Sequence, residues 1–445
     1  MSPALLSTAG AAFVLAVGFG LTPAPPASAP VRSTAPIAGA ATTADLPTAV
    51  PADAAGGGKT AAAPLATMRR DTIASLIAQL DSPVPAARAL VACALAERKA
   101  DAAPAIASLV AVLDDDAPVS PYVCREEWWL NDVDGDDGIH RQWQSTEPTT
   151  PGQEAARALA RIGTLSFEPV LRVLPKGGGH ARRNAAWILG ALRDERAVTP
   201  LIAQLADSLA TVRENVVWAL GALRDERAVD PLGRSVVQDA SADVRRQSAW
   251  ALGAIRNERG VDPLLRSLKD RDHNVRKQGA WALGAIRDPR AVDGLAGALG
   301  DSQSEVRKQA AWAMGAIRDA RAIPGLVTAL ADTDEDVRHQ AVWALGSIRD
   351  PRAIDPLVRT LKDSASEVRK QAAWALGAIR DGRAVDGLIA ALADAHGGVR
   401  KQVVWALGAI GDGRATDGLT AALQDKDADV RKQAAWALGV VVRRQ

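Results

Sequence analysis

The stretch VRKQAAWALGAIRD, from Val368 to Asp381, recurs with small changes through the C-terminal half of the chain. Its tryptophan returns every 31 residues, apart from one step of 32 between Trp218 and Trp250. A fixed period in this range is typical of repeat proteins, in which each unit stacks on the next. The period therefore predicts the fold of most of the chain. The tryptophans at this position are Trp187, Trp218, Trp250, Trp281, Trp312, Trp343, Trp374, Trp405 and Trp436.

On a helix of about 100° per residue, this stretch separates its side chains into two faces. Val368, Ala372 and Leu376 lie in one apolar sector, which has to bury against a sister helix, whereas Trp374 and Gly377 fall on the opposite face. We therefore expect the tryptophan to point to a second surface, or sideways against the next repeat. A glycine three residues after each tryptophan costs helix stability. We expect a neighbouring backbone or a tryptophan ring to approach closely at that glycine.

A second helical phrase separates the copies, as in RAIDPLVRTL from Arg352 to Leu361. Some of these phrases carry an internal proline, such as Pro263 or Pro356, which either kinks the helix or marks a later start. Each repeat is predicted to be helix A, a short turn and helix B, with the tryptophan on helix B. An Asp or Asn precedes each A phrase, where its side chain can cap the helix; these residues are Asp194, Asp225, Asn257, Asp288, Asp319, Asp350, Asp381 and Asp412.

This pattern resembles the HEAT-like repeats first named from phycobilisome lyases, strongly over residues 154–442 and weakly over 68–113. The helix B phrase VRxxAAxALGxIxD and the helix A phrase RAVxPLxxAL of that family both occur. The resemblance implies an all-α fold, a right-handed α-solenoid of about eleven two-helix repeats. It also implies that a turn Asp and an Arg six residues later, such as Asp301 and Arg307, bond to neighbouring repeats as a ladder. It does not imply lyase activity, because a fold does not fix a function.

Residues 1–29 contain an uncharged apolar run followed by Ala27, Ser28 and Ala29. We expect a signal peptide, or else an uncleaved N-terminal membrane anchor. Either predicts an exported protein that is periplasmic or secreted, or that stays attached to the membrane. Residues 30–67 are rich in Ala, Pro and Thr and are predicted to be a disordered linker.

Residues 68–162 are predicted to form degenerate N-terminal repeats with an insertion at 117–151, and residues 163–445 a regular array. The chain has two cysteines, Cys93 and Cys124. We expect a disulfide between them, because export favours oxidation and the insertion directly follows the repeat that carries Cys93. Two unpaired thiols are the alternative.

The insertion contains the acidic run NDVDGDDG, in which Asp132, Asp134 and Asp136 alternate as in part of a calcium loop. The EF-hand spacing fails, because Asp137 replaces the required glycine and Trp143 replaces the bidentate glutamate. We interpret the run as a solvated acidic loop, with these three aspartates as weak calcium candidates. No other metal site is predicted.

No motif for catalysis is present: the five histidines are scattered, and HExxH, CxxC and GxSxG are absent. We predict a non-enzymatic protein without a cofactor. The 53 Lys and Arg residues balance 52 Asp and Glu residues, whereas nucleic-acid binding domains are usually basic. We therefore expect no nucleic-acid partner, and single-stranded nucleic acid, which suits interleaved aromatic and basic residues on one face, is the least favoured alternative.

A cation stands four residues before most of the tryptophans, as Lys308 does before Trp312, and this spacing places both side chains on one helix face. We interpret the two residue types as a strip that binds a protein or peptide along the concave face of the solenoid. Two alternatives stay open. The side chains could simply shield the stack, or the strip could bind a cofactor or cell-wall polysaccharide in an accessory or lyase-like protein. The lysines of this Trp/Lys strip are Lys277, Lys308, Lys370, Lys401 and Lys432.

Overall fold

The structure is a computed structural model that describes residues 65, 68–121, 123–124 and 148–443. The predicted signal peptide or anchor, nearly all of the predicted linker, and the calcium candidates Asp132, Asp134 and Asp136 lie outside the described residues. None of the described helices combines the length and the apolar character that a membrane-spanning segment requires.

The described residues form an all-α solenoid, which confirms the predicted fold class. Short and long helices alternate, so that odd-numbered helices are the A helices and even-numbered helices are the B helices. In chain order the helices are α1 (Ile73–Gln79), α2 (Pro85–Arg98), α3 (Ile106–Val112), α4 (Pro151–Ile162), α5 (Phe167–Val173), α6 (Gly179–Leu192), α7 (Val198–Ala203), α8 (Ala210–Leu223), α9 (Val229–Gln238), α10 (Ala242–Ile255), α11 (Val261–Ser267), α12 (His273–Ile286), α13 (Val292–Ala298), α14 (Ser304–Ile317), α15 (Ile323–Ala329), α16 (Glu335–Ile348), α17 (Ile354–Thr360), α18 (Ser366–Ile379), α19 (Val385–Ala391), α20 (Gly397–Ile410), α21 (Thr416–Ala422) and α22 (Ala428–Val442).

The A helices of the regular repeats do not begin directly after the capping Asp or Asn. At Asp350 the carboxylate accepts a hydrogen bond from the Arg352 N–H at 2.9 Å, and a 3₁₀ turn over Pro351–Ala353 precedes α17. Pro356 is the third residue of α17. In the first turn of a helix the N–H groups have no intrahelical partner, so the proline is tolerated there. Of the two interpretations of these prolines, the later start is correct.

The core is continuous from repeat to repeat, because each B helix packs against the B helices of its neighbours. The side chains of Val368, Ala372 and Leu376 are fully buried, as their shared sector predicts. The A helix of the same repeat contributes Ile354 and Leu357. Burial of such apolar surface is the main favourable term in folding, so each repeat depends on its neighbours for stability.

The single 32-residue step is absorbed in an A helix. Helix α9 runs for 10 residues and reaches directly to Asp239, whereas α11 runs for 7 residues before its turn. The B helices on either side keep their register, since Gly221 still faces Trp250. The extra residue therefore leaves the row of tryptophans unbroken.

A ladder of arginines joins successive repeats. The Nε and Nη2 atoms of Arg276 donate to both carboxylate oxygens of Asp301, at 2.6 and 2.8 Å, and Nη1 donates to the Asp270 carbonyl at 2.9 Å. These hydrogen bonds hold the pKa of Asp301 below its ordinary value. Each arginine therefore ties its own turn to the next repeat, which is the ladder that the resemblance implies. The pairs are Arg182–Asp207, Arg213–Asp239, Arg245–Asp270, Arg276–Asp301, Arg307–Asp332, Arg338–Asp363, Arg369–Asp394 and Arg400–Asp425.

Candidate functional site

The nine repeat tryptophans lie on the B helices, from α6 to α22, one in each. The first eight are half-buried, and Trp436 in α22 is 46% exposed. The Trp187 and Trp218 rings stack with their centroids 6.2 Å apart and their planes 13° from parallel. The row is therefore partly available at the surface and partly packed into the array.

From Trp218 to Trp436, each ring packs sideways against the repeat before it. A Cβ atom added to Gly346 would lie 2.7 Å from Cζ3 of Trp374 and 2.9 Å from Cα of Ala375 in the next B helix. The same relation holds from Gly190, which faces Trp218, to Gly408, which faces Trp436. Only a glycine leaves room for a backbone and a ring at these distances. The close approach expected from the sequence is confirmed, and the tryptophan lies sideways, but against the preceding repeat and not against the next one as predicted.

Among the described residues, three of the five strip lysines pair with carboxylates, and these are Lys308, Lys370 and Lys401. Lys308 Nζ lies 2.8 Å from Glu305 in its own helix and 3.2 Å from Asp336 in the next B helix. Lys370 pairs in the same way with Glu367, at 3.0 Å. Sequence reasoning missed these carboxylates, although an acidic residue three positions before a lysine is a recognised helix pair.

No strip lysine lies over a tryptophan ring in the part of the chain that the structure describes. The cation–π contact found there is Arg196 over the Phe167 ring, 4.2 Å from its centroid. The spacing of four residues does place Lys and Trp on one face, but the carboxylates compete for the cation. An exposed ion pair and an exposed cation–π contact each contribute at most about 1 kcal/mol, so the carboxylates can replace the ring as the partner of the cation.

The residue at the lysine position of the strip changes along the array. Glu214 replaces the lysine in α8, and burial raises the pKa of its carboxyl group. Arg246 lies 3.2 Å from Asp243 and 3.8 Å from Glu214. In α16 the position is His339, and burial lowers the pKa of its imidazole. The lysines are concentrated in the C-terminal half, so one end of the strip differs chemically from the other.

Cys93 and Cys124 stand as a disulfide pair with their Cα atoms 5.9 Å apart. The buried carboxylate of Glu154 lies beside them, 3.7 Å from Cys93 Sγ, and accepts a hydrogen bond from the Thr149 hydroxyl at 2.7 Å. The ligand atoms of Cys93, Cys124 and Glu154 lie within 4.8 Å of one another, so the reduced thiols and this carboxylate are candidate metal ligands. Formation of the disulfide in the cell, and the expectation that no metal binds, stay predictions.

The sequence pattern of the family described as HEAT repeats matches residues 179–236, 234–311, 295–369 and 354–439. These matches together span more than half of the chain. The chain therefore belongs to the HEAT repeat family. HEAT repeats commonly mediate protein interactions.

Three solved structures illustrate the similarity. An engineered protein is 23% identical with a TM-score of 0.42, over 83% of this chain and 98% of its own. Human deoxyhypusine hydroxylase is 24% identical with a TM-score of 0.27, over 57% of this chain and 99% of its own. The complex of CpcE and CpcF of phycocyanin lyase from Nostoc sp. PCC7120 is 24% identical with a TM-score of 0.33, over 55% of this chain and 94% of the matched chain. Since the TM-scores are below 0.5, these likenesses carry no argument about function. No curated protein matches this chain.

Proposed function

We propose that this protein is a non-enzymatic scaffold that binds a protein or peptide along the B-helix face of its solenoid. The observation that carries the proposal is the Trp/Lys strip, which presents one tryptophan ring on each B helix from α6 to α22 and, in most of these repeats, one cation. Solenoids use such extended faces to bind partners. Tryptophan and cationic side chains are also prominent among residues that dominate binding energies.

The packing of the rings suits recognition. From Trp218 to Trp436, each tryptophan packs on the glycine of the preceding repeat, so little side-chain entropy remains to be lost when a partner binds. A rigid aromatic surface that is already ordered binds more tightly than one that must be ordered first. The packing against glycine also stabilises the array, so the structural and binding roles of the rings are compatible.

The salt bridges of the strip bear on the chemistry of the partner. Lys308, Lys370 and Lys401 each pair with an exposed carboxylate. Exposed pairs of this kind contribute little to stability, so a partner can exchange them for its own charged groups at low cost. We therefore propose a partner that offers both apolar and charged side chains to the strip.

The layout of the rest of the chain is part of the same proposal. We propose that residues 1–29 export the protein or anchor it in a membrane, and that residues 30–67 tether the array. Residues 68–162, with their insertion at 117–151, would precede the regular array of 163–445. We also propose that the Cys93–Cys124 disulfide forms after export.

The proposal is tested by capturing partners from an extract of the native organism on the immobilised protein and identifying them by mass spectrometry. The strip variant is Lys277→Glu, Lys370→Glu and Lys401→Glu. The matched control makes the same charge change at exposed lysines of the turns between helices A and B, with Lys269→Glu, Lys362→Glu and Lys426→Glu.

We expect the wild type and the control to capture the same protein and the strip variant to lose it. Capture of that protein by all three would contradict the proposal. Recovery of a tetrapyrrole or a polysaccharide in place of a protein would support the cofactor or cell-wall alternative.

A further inference from the structure

Three rows of arginine run along the repeats, and they differ in their partners. The ladder arginines, such as Arg276, bind the aspartate of the next repeat. The turn arginines, such as Arg290, bind the capping aspartate of their own junction, in this case Asp288 at 2.7 Å. The third row follows the last residue of each B helix from α6 to α18 and consists of Arg193, Arg224, Arg256, Arg287, Arg318, Arg349 and Arg380.

The third row has no side-chain partner among the residues that the structure describes. All seven arginines are exposed, and none has an ion pair or a side-chain hydrogen bond to another described residue. The aspartate that follows such an arginine is not its partner, because the carboxylate is already bound by the turn arginine. At Arg318, for example, both oxygens of Asp319 are bound by Arg321. Seven guanidinium groups are therefore free to bind another molecule.

These arginines occupy a backbone conformation that favours glycine. Their φ angles are positive, 63° at Arg287 and 60° at Arg349. The left-handed region is unfavourable for residues with a Cβ atom. At the end of α20 the same position is Gly411, also with a positive φ of 75°. The chain thus keeps arginine seven times at a position where glycine fits better, which points to a role for the side chain.

The junctions that carry these arginines are stacked in line. Arg321 Nη2 donates to the carbonyl of Pro289 in the previous junction at 2.8 Å, and Arg352 Nη2 donates to the Ala320 carbonyl at 3.3 Å. Neighbouring packed helices lie about 8–10 Å apart. Successive arginines of the third row therefore recur at intervals of about 10 Å along one edge of the array.

The charge beside the row changes partway along it. In the first three junctions a glutamate follows two residues after the arginine, at Glu195, Glu226 and Glu258. In the next four junctions that residue is Pro289, Ala320, Pro351 or Gly382, without charge. The uncompensated arginines, which we name the junction row, are Arg287, Arg318, Arg349 and Arg380.

We propose that the junction row binds an extended acidic peptide segment with an Asp or Glu at about every third residue. An extended chain advances about 3.3 Å per residue, so three residues span the interval between successive arginines. Guanidinium and carboxylate groups form paired, charge-assisted hydrogen bonds. The balanced total of 53 basic and 52 acidic residues does not favour a nucleic acid. This site lies outside the Trp/Lys strip. The proposal therefore goes beyond the proposed function and is tested independently of it.

The test measures the binding of a fluorescent synthetic peptide of four Glu-Ser-Ser units to the full-chain protein at low salt. The site variant is Arg287→Gly, Arg318→Gly and Arg349→Gly. The matched control is Arg193→Gly, Arg224→Gly and Arg256→Gly, which removes arginines of the same conformation that have glutamates beside them. The neutral Gln-Ser-Ser peptide and a single-stranded oligonucleotide are measured in parallel.

We expect the site variant to weaken binding of the acidic peptide about tenfold and the control to change it less than about twofold. Both variants should unfold at temperatures equal to or higher than the wild type, because glycine relieves the left-handed backbone. Failure of the wild type to prefer the acidic over the neutral peptide would overturn the proposal. So would equal losses in the two variants, or binding of the oligonucleotide in place of the peptide. In the first two cases the row serves the negative end of the helix dipole only, and in the third it binds nucleic acid and not an acidic peptide.

Discussion

A glycine inside a helix costs about 1 kcal/mol relative to alanine, yet each regular B helix carries one. The structure gives the reason residue by residue, since the position faces a backbone and a ring of the next B helix. Gly439 in α22 differs from the others, because the nearest atom to a Cβ added there is Arg443 Nη2 at 3.9 Å. The same substitution should therefore have opposite effects at two glycines of equivalent sequence.

We predict that Gly346→Ala destabilises the protein by about 1–3 kcal/mol, because the new methyl group clashes with Trp374 and with the backbone at Ala375. Gly439→Ala should stabilise α22 by up to about 1 kcal/mol through helix propensity. Urea unfolding followed by circular dichroism measures both. Loss of stability in both variants, or in neither, would mean that the ring does not pack as described.

The arginine ladder between repeats leads to a second prediction at the residue scale. Arg276 and Asp301 are mostly buried, with side chains 15% and 10% exposed. Asp301→Asn removes the charge that pairs with the guanidinium and should cost about 3 kcal/mol. The exposed Asp417→Asn on α21 is the control and should change stability by less than about 0.5 kcal/mol. Equal urea midpoints for the two variants would show that the ladder contributes no more than surface charge.

At the scale of helices, the sequence predicted the features that follow from the repeat period and from the capping residues. The apolar sector of Val368, Ala372 and Leu376 identified the buried face, and residues such as Asp350 marked the junctions. The 3₁₀ turn after each cap was not predictable, because its length depends on where helix A meets helix B. The site was less predictable than the fold. The Lys308 partners come from two different helices, and only the structure brings Asp336 within reach.

The link between α2 and the insertion makes a prediction at the same scale. The Cys93–Cys124 bond closes a loop of 31 residues, and a loop of this length is expected to add about 3–4 kcal/mol to the stability of the N-terminal repeats. We expect protein from its native compartment to show no free thiols on alkylation and two after reduction, as measured by mass. Two free thiols before reduction would contradict the disulfide.

At the scale of the whole array, many carboxylates share one dependence on pH. Hydrogen bonds from the ladder arginines lower the pKa of Asp301, Asp332, Asp394 and Asp425. A lowered pKa means that the unfolded chain binds protons more readily than the folded one, so acid favours unfolding. Stability from these groups is complete above the ordinary Asp pKa of about 3.9 and is lost as pH falls through the lower folded values.

We therefore predict that the urea midpoint is nearly constant from about pH 5 to pH 8 and falls steeply below about pH 4. Because the ladder repeats along the array, the fall should involve the whole array in one transition. The measurement is a series of urea titrations across this range. A midpoint that stays constant down to about pH 3 would show that the ladder carboxylates are not perturbed.

We propose that the Trp/Lys strip is the surface that recognises the partner. Trp281→Leu, Trp312→Leu and Trp343→Leu together remove the rings from the middle of the array, and some stability should be lost because each ring packs on a glycine. The decisive measurement is the affinity of this triple variant for the captured partner, at a temperature where circular dichroism shows it to be folded. We predict a loss of at least about a hundredfold, as expected when several binding hot spots are removed. Unchanged affinity in the folded variant would show that the tryptophans only stabilise the stack and that the partner binds elsewhere.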